Sequence, residues 1–280
     1  MKKSVSLSIF SSSRADYGIL KNLIIKLKKD KKINLKLIVS GTHLEKVYGK
    51  TIKQIIKDKI NIDHKIHIKL GSTSEKRIIR NMGLYMDKIS NYLIKTNSKG
   101  LILLGDRYET LAVASAANIL NIPIIHIHGG EVTHGSYDDQ IRHAITKLSH
   151  FHFVSTQSAK KRVIRMGEEK KKVFLVGSLG VENLLLHKKK KNFPKIFNFK
   201  LKKKKILICY HSQTNNLNLS RIEFLNLLDS LKYFKEYSLL FNYPNHDLDS
   251  EFIIKKTQSF IKKNKNSKLI KSLGQDNFYE

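Results

Sequence analysis

The chain has 280 residues, 41% of them hydrophobic, enough for one large or two ordinary domains with a sizeable buried core. Its single cysteine, Cys209, excludes an intramolecular disulfide; with an N-terminus that reads as a first strand rather than a signal peptide, this fits a reducing cytoplasm. The net charge of +30 comes from lysine spread through every helical stretch, with little arginine and no aromatic interleaving, so no nucleic-acid footprint is expected. No apolar run approaches the roughly 20 residues that cross a bilayer.

Short apolar, β-branched runs alternate with helical patterns along the chain. Strands are expected at residues 5–10, 35–39, 100–104, 122–127, 151–154 and 173–176. Helices are expected near 19–29, 51–57, 78–95, 110–120, 139–147 and 158–166. This alternation predicts a parallel sheet with helices on both faces, and the almost continuously apolar runs 101–104 and 122–127 suit strands buried on both sides. After Gly180 comes a further helical stretch, then two lysine blocks and a proline that read as a connection over 186–204. A second series follows: strand 206–210, helix 222–234, strand 238–241, helix 251–263, strand 267–270 and the start of another helix. The expected organisation is a first Rossmann-like domain over 1–185, a linker over 186–204 and a partial second one over 205–280.

Ligands of such sheets gather at the carboxyl ends of the strands. In a chain with only 23 Asp+Glu, five fall close together there: Asp106, Glu109, Glu131, Asp138 and Asp139. "LILLGDRYET" puts Gly105 and Asp106 just past one strand, and "IPIIHIHGGE" puts His126, His128 and Glu131 just past the next. Asp106 could instead cap the following helix, and a helix dipole accounts for one of Asp138 and Asp139 but not obviously for both. Two carboxyls in different surroundings could divide acid and base work. His126 and His128, two apart, could serve zinc, but no zinc-family spacing occurs and no metal is expected. "SSSRADYG" offers serine donors and Arg14 at a helix start, suited to a phosphate or to a plain serine N-cap; the dinucleotide and Walker glycine spacings are both absent. His211 in "YHSQT" and Asn245 in "YPNHD" end strands of the second series, facing the first across a cleft.

These residues resemble the hydrolysing UDP-N-acetylglucosamine 2-epimerases, in the branch that serves sialic and related nonulosonic acids. The resemblance is carried by "SRADYG" (13–18), "GDRYE" (105–109), "HIHGGEVT" (126–133) and "DDQIRHAITKLSHFHFVST" (138–156), and continues through "VGSLGVENL", "YHSQT", "YPNHD" and "SLGQDN". It implies a GT-B-like pair of doubly wound, Rossmann-type parallel-sheet domains, the second incomplete here, with a UDP-sugar substrate in the cleft. The implied reaction eliminates UDP across C1–C2 and hydrates the glucal to N-acetylmannosamine, with no metal or redox cofactor. Mapped on the motifs, Asp106 is the strand-end catalytic carboxylate and Asp138 the acid/base group. Arg14 would meet the diphosphate and His211 the leaving phosphate. Arg107, Glu131, Asp139, Arg142 and His143 would support them, with Asn245 on the substrate. Some members have Glu where this chain has His128, so His128 or Glu131 would take over any base role of that Glu. The family's habit implies a homo-oligomer. Members of the family continue past residue 280 with a nucleotide-holding loop, so impaired activity is expected of these 280 residues alone. Other readings are a UDP/GDP-N,N'-diacetylbacillosamine 2-epimerase, a nucleotide-sugar-binding remnant and, less consistent with the carboxylates, a glycosyltransferase.

Overall fold

The computed structural model describes residues 4–187, Phe199 and residues 201–279. The chain begins β1 (Val5–Ser11), α1 (Arg14–Lys29), β2 (Ile33–Val39), α2 (Ile52–Lys57), β3 (His64–Lys65) and α3 (Glu75–Thr96). It continues β4 (Leu101–Leu104), α4 (Tyr108–Ile119), β5 (Ile124–Ile127), α5 (Asp138–Leu148), β6 (Phe151–Val154), α6 (Gln157–Arg165), β7 (Val173–Leu175) and α7 (Leu179–Leu186). These seven strands form one all-parallel sheet, in the order β3-β2-β1-β4-β5-β6-β7. The order reverses between β1 and β4, the crevice where doubly wound sheets bind ligands.

A second parallel sheet, ordered β10-β9-β8, is built from β8 (Lys204–Ile208), α8 (Leu217–Leu231), β9 (Tyr237–Asn242), α9 (Ser250–Lys263), β10 (Ser267–Ile270) and α10 (Gln275–Tyr279). The two sheets form the expected GT-B-like pair of Rossmann-type units. Of the expected linker over 186–204, residues 188–198 and 200 lie outside the described residues.

Strand side chains alternate faces, and the first sheet buries both. Phe10, Ile38, Leu101 and Leu103 pack with Tyr85, Ile89 and Leu93 of α3 and Val113 and Ala117 of α4. Their neighbours Ile9, Leu37, Ile102 and Leu104 pack on the other face with Tyr17, Leu20 and Ile24 of α1 and Ile52 and Ile55 of α2. α7 lies back along α1, where Asn183 Nδ2 donates to the carbonyls of Gly18 and Ile19 at 2.9 Å. The second sheet has its own core of Ile208, Phe224, Leu239, Phe241, Ile253 and Phe260.

Three helices start three or more residues earlier than their apolar periodicity suggested. α1 begins at Arg14 rather than 19, α3 at Glu75 rather than 78, and α8 at Leu217 rather than 222. In α1 and α8 the first turn is fixed by a cap: Ser13 accepts from Asp16 N, and Asn216 accepts from Leu219 N. β3 was not expected; its two residues carry no apolar run and pair with Ile38 and Val39 only through the backbone.

Candidate active site

The loops after β1, β2, β4 and β5 open toward those after β8, β9 and β10. Backbone and side chains cross directly between the sheets. Tyr108 Oη lies 3.0 Å from His246 Nδ1, Tyr137 N donates to Thr214 Oγ1 at 3.0 Å, and Asn215 N donates to the Gly135 carbonyl at 3.2 Å. Of the residues expected at the site, Asp106, Arg107, His128, Glu131, His211 and Asn245 lie on these loops, Arg14, Asp138 and Asp139 at the start of a helix leading from one, and Arg142 and His143 in the second turn of α5.

The serine turn after β1 proves to be a cap. The Asp16 carboxylate takes the backbone N–H and hydroxyl of both Ser12 and Ser13, all at 2.9 Å, and completes a capping box. Those donors are occupied by the protein's own anion, so the alternative of an open phosphate cradle is not what this turn forms. Arg14, the first residue of α1, reaches across instead: its two terminal nitrogens donate to the carbonyls of Tyr243 and Lys271. Burial lowers the Arg14 pKa from its ordinary value.

The acidic half of the site follows β4 and β5. Asp106 pairs with Arg142 Nη2, while Arg142 Nη1 donates to Thr133 Oγ1 at 2.8 Å. Asp139 Oδ1 accepts from Thr133 N at 2.8 Å, so this carboxylate holds the loop that steadies Arg142. His143 Nε2 lies 3.8 Å from the other Asp139 oxygen. Asp138 accepts from Ser136 Oγ at 2.9 Å, and Ser136 Oγ also lies 3.0 Å from Thr214 Oγ1 of the second sheet. Burial, reinforced by the charge of Asp247, raises the Asp138 carboxyl above its ordinary range, against the pull of Ser136, Arg107 and His211. Glu131 accepts from Ser155 Oγ.

The two histidines of "HIHGGE" do different things. His126 is fully buried on β5; its Nε2 donates to the Gly105 carbonyl at 2.8 Å and its Nδ1 meets Thr146 Oγ1 at 3.2 Å. Burial pushes it down to about 4, a neutral ring that props the turn before Asp106. His128 sits just past the strand with a left-handed φ of 63°, and its buried Nε2 meets no partner in the protein. Burial lowers its pKa, with Glu131 opposing. Both nitrogens of His126 being engaged, the pair does not form a zinc face. Among the described residues no group of three or more His, Cys, Asp or Glu is placed to hold a metal ion.

A charged chain then bridges the sheets. Arg107 lies 3.2 Å from Glu109, whose side chain is 0% exposed, and 3.3 Å from Asp247 Oδ1 of the second sheet. The other Asp247 oxygen lies 3.5 Å from His211 Nδ1. Burial opposes ionisation of Asp247, but Arg107 and His211 outweigh it and hold its carboxyl below the usual value. The sequence puts Asp247 in the same polar strand-end turn, "YPNHD", as Asn245 and His246, but of the three only Asn245 is among the expected site residues.

A cavity of about 320 Å³ lies beside this chain, walled by Arg14, His43, Cys209, His211, Asn245 and Tyr279 among others. Asp106, Asp138 and Glu131 do not line it; His211 is where it meets the charged bridge. A larger hollow, about 920 Å³, runs past Glu45, Lys69, Arg221 and Glu251 and includes none of the expected site residues.

Known proteins resemble this chain in sequence and in fold. The family described as UDP-N-acetylglucosamine 2-epimerase matches residues 25–280. Polysialic acid biosynthesis protein P7 of Escherichia coli is 37% identical over 268 residues, covering 95% of this chain and 68% of that protein. The GDP/UDP-N,N'-diacetylbacillosamine 2-epimerase (hydrolyzing) of Campylobacter jejuni is 37% identical over 276 residues, covering 97% of this chain and 71% of its own. Among solved structures, UDP-GlcNAc 2-epimerase of Neisseria meningitidis bound to UDP-GlcNAc overlays with a TM-score of 0.76 at 19% identity, over 98% of this chain and 74% of that one. The match runs through both sheets and through the cleft between them, and the chain belongs to the UDP-N-acetylglucosamine 2-epimerase family.

Proposed function

We propose that the cleft carries out hydrolysing 2-epimerisation of a UDP-activated 2-acetamido sugar, UDP-N-acetylglucosamine giving N-acetylmannosamine and UDP for sialic or nonulosonic acid synthesis. The observation that carries this reading is the division of the cleft. Carboxyls from β4, β5 and α5 lie on one side, a cavity bordered by Arg14 and His211 lies on the other, and the Arg107–Asp247–His211 bridge joins them.

In the first step a carboxylate takes the C2 hydrogen as a proton. The C–H electron pair becomes the C1=C2 double bond, and the C1–O bond breaks with its pair leaving on the diphosphate. Asp138 suits the proton exchange, because a carboxyl raised toward the working pH is both a stronger base and a usable acid. Asp106, the carboxylate paired with Arg142, faces the positive charge that develops at C1; Thr133, Asp139 and His143 support Arg142, and Arg107 anchors the neighbouring position to Glu109 and Asp247. Arg14 and His211 neutralise the departing diphosphate, and Asn245 contributes to its wall of the cavity. In the second step water adds its hydroxyl at C1, and a proton reaches C2 from the opposite face, for which Glu131 and His128 are placed together after β5. The balance is one sugar nucleotide and one water in, one free sugar and UDP out. It needs no metal or redox cofactor.

A second reading, a diacetylated sugar such as UDP-N,N'-diacetylbacillosamine, is favoured by the names of two relatives, the C. jejuni protein at 37% and a Legionella pneumophila one at 32% identity. Parallel incubation with both sugar nucleotides in D2O, followed by NMR, tests the two. The expected outcome is free UDP and free N-acetylmannosamine with deuterium at C2. Faster release from the diacetylated substrate would select the second reading, and no UDP from either would overturn both.

A further inference from the structure

Asp247 has one carboxylate oxygen on each of two cations that belong to different sheets. Oδ1 is 3.3 Å from Arg107 Nη1, on the loop after β4, and Oδ2 is 3.5 Å from His211 Nδ1, on the loop after β8. Arg107 is clamped from behind by Glu109, through contacts of 3.2 and 3.3 Å. Arg107 and Glu109 have side chains 12% and 0% exposed, so the guanidinium has little freedom to move away. Asp247 is 21% exposed and His211 43%, so the bridge runs from a buried anchor outward to a ring on the cavity wall.

A histidine ring has two nitrogens, and a hydrogen bond at one decides what the other presents. With Nδ1 turned to a carboxylate, Nε2 is the nitrogen left for the cavity. A carboxylate at Nδ1 also stabilises the ring once it is protonated on both nitrogens, the form that donates from Nε2 to a departing phosphate oxygen. Arg14 and Cys209 share the cavity with this ring, Asp138 acts on it from the first sheet, and Arg107 reaches it only through Asp247. None of these four is paired with Nδ1; Asp247 Oδ2, at 3.5 Å, is its ion-pair partner.

We propose that Asp247 is a positioning residue that fixes the tautomer and orientation of His211 toward the leaving diphosphate. The proposal rests on the reading of His211 as the group that meets that diphosphate. Because Arg107 comes from the first sheet, the alignment exists only while the two sheets are closed on the cleft. Asp247 itself need not touch the substrate.

Two experiments test it. Long-range 1H–15N NMR of the imidazoles, with the His211 signal assigned by its loss in His211→Gln, is expected to show Nδ1–H in the parent. In Asp247→Ala, whose fold is checked by circular dichroism, the signal is expected to move to Nε2–H or to a mixture. This needs no turnover, so it decides the positioning claim even if no sugar nucleotide reacts. Kinetically, Asp247→Asn is expected to lower kcat roughly 10–100-fold with KM changed little, as loss of a carboxylate partner behind a working histidine does. In a His211→Gln background the same change is expected to cost less than about threefold, since interacting residues are not additive. Asp247→Glu is expected to recover part of the rate. An unaltered His211 tautomer in Asp247→Ala, or full multiplication of the two kinetic losses, overturns the proposal.

Discussion

Two glycines of the recognisable motifs have nearly the same backbone and opposite surroundings, and substituting each by alanine separates two costs. Gly105 has φ +75° and Gly130 φ +74°. A Cβ added at Gly105 meets nothing within 4 Å, whereas at Gly130 it falls 2.5 Å from Val163 Cγ2 and 2.7 Å from the Ala159 carbonyl oxygen. Left-handed backbone costs an L-residue roughly 1–2 kcal/mol, and both variants lose this. The overlap at Gly130 cannot be relieved by a flexible side-chain end, because α6 backbone is one of its two walls, so about 1–3 kcal/mol of overpacking adds to it. At about 2–4 °C per kcal/mol for a chain of this size, Gly130→Ala should melt several degrees below Gly105→Ala. Far-UV circular dichroism melts and urea midpoints check this. Displacing α6 also moves Ser155 from Glu131, so Gly130→Ala should lose activity beyond its loss of stability. Equal destabilisation of the two variants would refute the claim that close approach of α6, rather than φ alone, requires glycine in "HGGE".

Asp106→Asn and Asp138→Asn are each expected to reduce turnover about 10²–10⁴-fold with the fold retained by circular dichroism, the range for losing a positioned acid/base group. Since Asp138 acts as carboxylate when it takes the proton and its carboxyl is raised, kcat/KM should fall on acidification with a midpoint above the ordinary aspartate value of about 3.9. Asp247→Asn, by removing a neighbouring negative charge, should move that acid limb to lower pH, readable in a pH–rate profile. Stability should also fall in acid: His126 is held neutral down to about 4, while the unfolded chain protonates it near 6.5. The unfolded state therefore binds more protons between these values, and about 3 kcal/mol is lost as pH drops through that window. Urea midpoints measured from pH 7 to 4 should show a shallower fall in His126→Gln. Asp16→Ala leaves the buried N–H groups of Ser12 and Ser13 unpaired and should cost about 2–4 kcal/mol in urea unfolding, with Asp16→Asn losing less.

Much of this protein follows from local sequence. Alternation of apolar runs with 3.6-residue periodicity is a local signal, and it located the strands of both sheets except β3, together with their parallel class. Motif position likewise put Asp106 and Glu131 at the carboxyl edge of the sheet, because a residue just past a parallel strand lies there whatever packs around it, and Asp138 at the start of the next helix. Helix starts were less legible. At α1 and α8 the caps that set the first turns are individual hydrogen bonds rather than a pattern.

The second sheet's contribution was hidden for a different reason. Asp247 and Arg107 are 140 positions apart in the chain, Arg14 meets Tyr243 and Lys271, and Asp16 takes four donors that the sequence left equally available to a phosphate. Composition and periodicity determine which face of an element is buried, since that depends on neighbours within a few residues. Which charge finds which partner depends on how two separately folded sheets close on each other, and only the tertiary structure decides that.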